Sequence, residues 1–183
     1  VVLVGETNEA SLSGVEVVVG SAGDDSVTVS TNDIEAISGG EGFDDVTLTD
    51  ASGNTVDLAG VEVITGSSGD DILTVTDDTS VTLDGGDGAD TLIGNVGADT
   101  LLGGSGSDTL IGGGGPDVVD GGQGSDLLEL DGAAGVTAEG GDGTDTVVLV
   151  GETNEASLSG VEVVVGSAGD DSVTVSTNDI EAI

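Results

Sequence analysis

Short runs in which apolar and polar residues alternate recur along most of the chain, as in residues 27–30 (VTVS) and 46–49 (VTLT). Alternation with a period of two predicts a β-strand that buries one face. Clusters of glycine, serine and aspartate separate these runs, and such clusters are typical of turns. No run of about 20 apolar residues is present, so we expect no membrane insertion. The pattern predicts an all-β fold of many short strands.

The chain repeats itself on two long scales. Residues 1–37 reappear without a single change as residues 147–183, at an offset of 146 residues. A weaker relation of about 46 residues links LSGVEVVVGSAGDDSVTV, which starts at Leu12, to LAGVEVITGSSGDDILTV, which starts at Leu58. Repeats of this kind stack into solenoids. We therefore expect residues 1–146 to form one full unit of a continuous solenoid and residues 147–183 to begin the next identical unit.

A nine-residue repeat, G-G-x-G-x-D-x-U-x with U apolar, carries the candidate chemistry. Five contiguous copies run from Gly85 to Glu129, and further copies begin at Gly39 and Gly140, with looser copies at Gly20, Gly66 and Gly166. Glycine at positions 1, 2 and 4 permits positive φ and a tight turn. The residue at position 8, such as Leu92 or Leu101, is expected to face inward.

Position 6 of the repeat supplies a regularly spaced carboxylate. The candidate metal ligands are Asp25, Asp44, Asp71, Asp90, Asp99, Asp108, Asp117, Asp126, Asp145 and Asp171. Carboxylates and turn carbonyls are hard oxygen donors that suit Ca²⁺, whereas softer metals favour His or Cys, which the chain lacks. An aspartate beside glycine also caps tight turns without any metal. Five consecutive copies in phase favour several calcium ions over capping alone.

The repeat resembles the calcium-binding nonapeptide of the RTX (repeats-in-toxin) family. That resemblance implies a right-handed parallel β-roll, or β-solenoid, that folds when it meets calcium outside the cell. Asn95 and Val96 depart from the family pattern in the second unit, as do Ser21 and Ser67 at position 2. We expect the turns to be looser at these positions.

Two nonapeptides, about 18 residues, should close one flattened coil with a strand on each side. This places Asp90 above Asp108 and Asp108 above Asp126 on one edge, with Asp99 above Asp117 on the other. Because stacked strands lie about 4.8 Å apart, facing carboxylates would repel each other unless a cation lay between them. Pairs with one extra residue between them, such as Asp25 with Asp44 and Asp126 with Asp145, should form less regular sites.

The spacing of the isolated copies predicts the coil count. Placing all of them on one edge gives coils of about 18–19 residues and two longer coils per 146-residue unit. Each longer coil would contain about eight extra residues in a bulge or an added strand. Seven coils would then give a rise of roughly 34 Å per unit.

Composition narrows the possible functions. The chain has 37 Asp and Glu residues and no Lys, Arg, His or Cys, for a net charge of −37. Without imidazole, thiol or amine side chains we do not expect an enzyme. Without basic residues we expect no nucleic-acid partner. The metal-free chain should repel itself strongly, so folding and calcium binding should be coupled.

These observations favour a structural role. We expect a calcium-stabilised segment of a secreted extracellular fibre, adhesin stalk or matrix filament, located outside the cell or at its surface. Its partner would be itself, by end-to-end stacking or covalent tandem continuation, with cell-surface or matrix contacts as further candidates. The main alternative is an RTX calcium-folding or secretion module of a larger secreted toxin or hydrolase. A less favoured alternative is an ice- or carbohydrate-binding surface of outward threonines.

Overall fold

The computed structural model describes residues 1–5, 7–131 and 135–176. These residues form nineteen β-strands. The described ranges contain no helix long and apolar enough to cross a membrane. In chain order the strands are β1 (Asn8–Leu12), β2 (Val17–Val19), β3 (Asp25–Val29), β4 (Ala36–Ser38), β5 (Asp45–Leu48), β6 (Thr55–Ala59), β7 (Val63–Thr65), β8 (Ile72–Val75), β9 (Thr82–Asp87), β10 (Thr91–Ile93), β11 (Thr100–Ser105), β12 (Thr109–Gly114), β13 (Val118–Gly124), β14 (Leu127–Asp131), β15 (Val136–Gly143), β16 (Thr146–Leu149), β17 (Glu155–Ser159), β18 (Val163–Val165) and β19 (Ser172–Val175).

The strands form two parallel sheets that the chain visits in turn. Sheet one contains the ten odd-numbered strands and sheet two the nine even-numbered strands, each in sequence order. One strand of each sheet, with the turns between them, makes one coil. Paired strands are parallel in both sheets, for example β10 with β12 and β11 with β13. The predicted β-solenoid is confirmed, with about nine coils.

Coil length follows from the residues that pair between neighbouring coils. In the regular block Thr91 lies opposite Thr109, and on its other side it lies opposite Ile72, so these two coils differ by one residue. The two longest coils place Ala36 opposite Asp57 and Val136 opposite Ala156. Two coils are therefore longer than the rest, but only by one to three residues.

The predicted bulges of about eight residues are wrong, and so is the coil count. The long steps from Gly39 to Gly66 and from Gly140 to Gly166 are each one and a half coils, so the repeat moves to the opposite edge. Strand β3 and its copy β19 are eight coils apart in sheet one. One unit therefore contains eight coils instead of seven, which gives a rise of about 38 Å. Residues 177–183 of the predicted second unit lie outside the described residues.

The core is a column of aliphatic side chains between the sheets. Position 8 of the repeat points inward as predicted, since Leu92, Leu101, Leu110 and Leu128 are fully buried. Their neighbours on each strand face outward, which gives the alternating burial of β10 and β12. Burying one such leucine contributes about 1.5 to 3 kcal/mol. The core thus fixes the position of each turn along the edges, where the acidic residues lie.

Candidate metal sites at the edges of the solenoid

The position-6 aspartates lie on two edges. We call the turns that enter sheet one edge one and the turns that enter sheet two edge two. Edge one contains Asp25, Asp44, Asp99, Asp117 and Asp171, and edge two contains Asp71, Asp90, Asp108, Asp126 and Asp145. The sequence analysis placed the copies at Gly20 and Gly39 on the edge of Asp90. That placement is wrong, because the half-coil steps put them on the edge of Asp99.

Hydrogen bonds connect the aspartates of successive coils into ladders. The backbone N–H of Asp90 donates to Oδ1 of Asp108 at 2.8 Å, and the N–H of Asp108 donates to Oδ1 of Asp126 at 2.8 Å. On edge one the N–H of Asp99 donates to Oδ1 of Asp117 at 3.0 Å. The predicted vertical neighbours therefore lie next to each other. Each carboxylate uses one oxygen to hold the preceding coil.

The second carboxylate oxygen of most ladder aspartates is buried and unpaired. Among the described residues, Oδ2 is buried without a hydrogen-bond partner in Asp44, Asp90, Asp99, Asp108, Asp117, Asp126 and Asp145. These side chains are at most 3% exposed. A buried carboxylate oxygen without a partner is costly unless a positive charge or a proton compensates it.

Burial raises the pKa of these carboxyl groups. It raises the pKa of Asp90 to about 7, with the negative charges of Asp108 and Asp71 adding to the effect. It raises the pKa of Asp99 to about 6, with a further contribution from Asp117. Burial also raises the pKa of Asp44, Asp108, Asp117, Asp126 and Asp145. The ladder is therefore electrostatically unfavourable when fully ionised and metal-free.

The turn glycines leave space where oxygen atoms converge. A Cβ on Gly85 would lie 2.4 Å from Oδ2 of Asp90 and 2.8 Å from the carbonyl oxygen of Gly103. A Cβ on Gly103 would lie 2.5 Å from both Oδ2 of Asp108 and the carbonyl oxygen of Gly121. Nowhere in the described ranges do three acidic side chains gather into a metal-binding cluster. The available donors are single carboxylates combined with main-chain carbonyls, a set of hard oxygens that fits Ca²⁺.

Three of the ten predicted ligands differ from the rest, because both of their oxygens are hydrogen-bonded. Oδ1 of Asp71 accepts from the backbone N–H of Asn54 at 2.6 Å and from its Nδ2 at 2.7 Å. Oδ2 of Asp71 accepts from the N–H of Ser67 at 2.6 Å and from its Oγ at 3.0 Å. Asp25 and Asp171 are held in the same way.

Hydrogen bonding also changes the acidity of two of these aspartates. Burial favours a higher pKa for Asp25, but hydrogen bonds from Asn8 and Ser21 outweigh it and lower the pKa. Hydrogen bonds from Asn154 and Ser167 lower the pKa of Asp171. The sequence analysis missed the asparagines and treated the serines only as looser turns. The available signal was an asparagine 17 residues before each aspartate that follows a position-2 serine.

Two ladders end on a glutamate that the sequence analysis also missed. Oε2 of Glu62 accepts the N–H of Asp44 at 2.7 Å, and Oε2 of Glu162 accepts the N–H of Asp145 at 2.7 Å. Both glutamates belong to the G-V-E sequence of the 46-residue relatives. On edge one, the short ladder of Asp99 and Asp117 begins instead at the N–H of Val81, which donates to Asp99 at 3.0 Å.

Parallel coils with glycine turns and repeated edge carboxylates define a calcium-binding β-roll. The family described as RTX calcium-binding nonapeptide repeat matches residues 58–79, 82–110, 93–128, 102–136 and 158–176, which together cover just over half of the chain. The chain belongs to this family, and several of its repeats bind Ca²⁺. No curated protein matches the chain.

Proposed function

We propose that this chain is a structural segment of a secreted extracellular fibre, adhesin stalk or matrix filament. In this proposal calcium ions between stacked GGxGxD turns hold successive coils together. The ligands are the seven aspartates with an unpaired buried Oδ2, together with glycine carbonyls of the turns. Seven ions would offset about 14 of the 37 negative charges, which relieves the self-repulsion of the chain.

The observation that carries the fibre proposal is the fit between the repeat and the coil. Asp25 and its copy Asp171 lie on the same edge, because the 146-residue offset contains eight whole coils. A tandem array of such units would therefore continue one solenoid without changing the position of either sheet or edge. Each added unit would lengthen the solenoid by about 38 Å.

Calcium supply supports an extracellular location. Extracellular calcium modules work at dissociation constants of about 10⁻⁴ to 10⁻³ M, where sites with few carboxylates are sufficient. The turns here offer single carboxylates with carbonyls, which suits that range. The chain would stay expanded where calcium is scarce and would fold into a rod after export. Its first partner would be another unit of the same sequence, followed by cell-surface or matrix contacts.

The test uses proteins of one, two and three complete units. Small-angle scattering and electron microscopy in calcium should show rods of constant width that lengthen by about 38 Å per unit, and EGTA should abolish them. Rods that do not lengthen in proportion would contradict the fibre role. Compact tandem proteins that still fold only in calcium would favour a folding module of a larger secreted toxin or hydrolase. A fold that is unchanged by EGTA would refute the role of calcium.

A further inference from the structure

The second residue of each turn separates the two kinds of aspartate. The seven aspartates with an unpaired Oδ2 all follow a position-2 residue with positive φ, between +75° and +119°. These residues are Gly40, Gly86, Asn95, Gly104, Gly113, Gly122 and Gly141. The three fully bonded aspartates follow Ser21, Ser67 and Ser167, none of which has positive φ.

Backbone conformation explains this division. Ser67 keeps its N–H directed at Oδ2 of Asp71 and adds its hydroxyl to the same oxygen. Gly86, with φ of +99°, makes no such bond, since Oδ2 of Asp90 has no partner among the described residues. Asn95 is a useful exception in residue type. It is the one non-glycine residue with positive φ in the described part of the chain, and its aspartate, Asp99, also has an unpaired Oδ2.

The bonded aspartates have used their capacity to accept hydrogen bonds. An ionised carboxylate offers about four lone-pair sites. Asp71 receives four donors, two from Asn54 in the preceding coil and two from Ser67 in its own turn. Asn54 is only 2% exposed, so its amide lies between the coils. Here neutral donors take the place that a cation would occupy elsewhere on the edge.

We propose that three such clusters, which we call clamps, join neighbouring coils without calcium. The clamps are Asn8 with Ser21 and Asp25, Asn54 with Ser67 and Asp71, and Asn154 with Ser167 and Asp171. They remain closed at low calcium, and the calcium-binding ladders extend from them. The inference rests on the proposed function in so far as the neighbouring aspartates bind calcium.

The position of the clamps supports this role. The N–H of Asp71 donates to Oδ1 of Asp90 at 2.7 Å, so the middle clamp is the first step of the long ladder on edge two. Between Asn54 and Asp71 lies Glu62, which ends a ladder on edge one. One segment therefore closes the ladder on one edge and starts the ladder on the other. A junction that forms without metal is suited to begin such a ladder.

The decisive variant is Ser67→Gly in the full chain, with Ser68→Gly as its control. Ser68 is the next residue of the same turn and is exposed. Removing the Ser67 hydroxyl and allowing positive φ should open the clamp and raise the number of calcium ions counted by native mass spectrometry by one. In EGTA, NMR hydrogen exchange should show the N–H groups of Asn54 and Ser67 at least 10-fold better protected than those of Asp108 and Asp126. Ser67→Gly should remove this protection, and Ser68→Gly should retain it.

Two outcomes distinguish the possible failures. If the clamp amides exchange in EGTA as fast as the Asp108 amide, while Asp108→Asn still loses calcium, the clamps are refuted and the proposed function stands. If EGTA leaves both groups of amides equally protected and Asp108→Asn loses no calcium, the proposed function fails and the inference fails with it. An unchanged calcium count and unchanged protection in Ser67→Gly would also overturn the clamps.

Discussion

Two adjacent glycines in one turn allow a sharp test of coil stacking. Gly115 occupies position 4 of its repeat with φ of +147°, and a Cβ there would lie 1.5 Å from the carbonyl oxygen of Gly97 in the preceding coil. Gly114 has no positive φ, and a Cβ there would meet nothing within 4 Å. Gly115→Ala should therefore force the two coils apart, whereas Gly114→Ala should not.

The size of the effect follows from the local contacts. The oxygen of Gly97 must move by about 1.5 Å, because Cβ contacts under 3.0 Å essentially do not occur. That shift disrupts the bonds from Gly97 N–H to the Gly114 carbonyl, 2.9 Å, and from Gly114 N–H to the Asn95 carbonyl, 2.8 Å. Each bond contributes about 1 kcal/mol, and a non-glycine residue at this φ costs about 1 to 3 kcal/mol. We expect Gly115→Ala to lower the free energy of unfolding by roughly 3 to 5 kcal/mol.

Urea unfolding followed by circular dichroism in saturating calcium provides the measurement. Gly114→Ala should stay within about 0.5 kcal/mol of the parent protein, as open surface substitutions usually do. The calcium concentration needed for folding should rise for Gly115→Ala and stay constant for the control. Equal unfolding midpoints for the two variants would refute the close packing of turns on which the metal sites depend.

Three further predictions concern acidity, the core and the surface. In EGTA the fold should be more stable at pH 5 than at pH 8: burial raises the folded-state pKa of Asp90 to about 7 and of Asp99 to about 6, so the stability gained by their protonation is lost as pH rises through these values. Thermal unfolding measures this, and greater stability at pH 8 in EGTA would contradict it. Leu101→Ala should cost about 2 to 5 kcal/mol in urea unfolding, whereas Leu102→Ala, on the outer face of the same strand, should cost much less. Phe43, expected as a local hydrophobic plug, is 56% exposed, so Phe43→Ser should leave the unfolding midpoint nearly unchanged.

The regular block of nonapeptides was predictable because two simple periods agree there. Alternation with a period of two fixes which side chains face the core, and a spacing of two nonapeptides places Asp90, Asp108 and Asp126 on one edge. Both expectations are confirmed by the burial of Leu92 and Leu110 and by the hydrogen bonds between the aspartates. Where spacing is regular, the sequence determines the neighbours across coils.

The change of edge was not predictable from spacing alone. The step from Gly39 to Gly66 fits one coil with a bulge as well as it fits one and a half regular coils, and only strand pairing decides between them. The separation of Asp71 from Asp90 needed two further facts, namely the φ of the position-2 residue and an asparagine in the preceding coil. Such partners become visible only once the coils are stacked.

The whole number of coils in the 146-residue unit also affects how such a protein could change over generations. Recombination between identical copies would add or remove whole units, and each event would join edge to matching edge and sheet to matching sheet. The resulting proteins would differ in length while their cross-section and junctions stayed the same. A lineage could thus adjust reach by unequal crossing-over without having to refit a single interface.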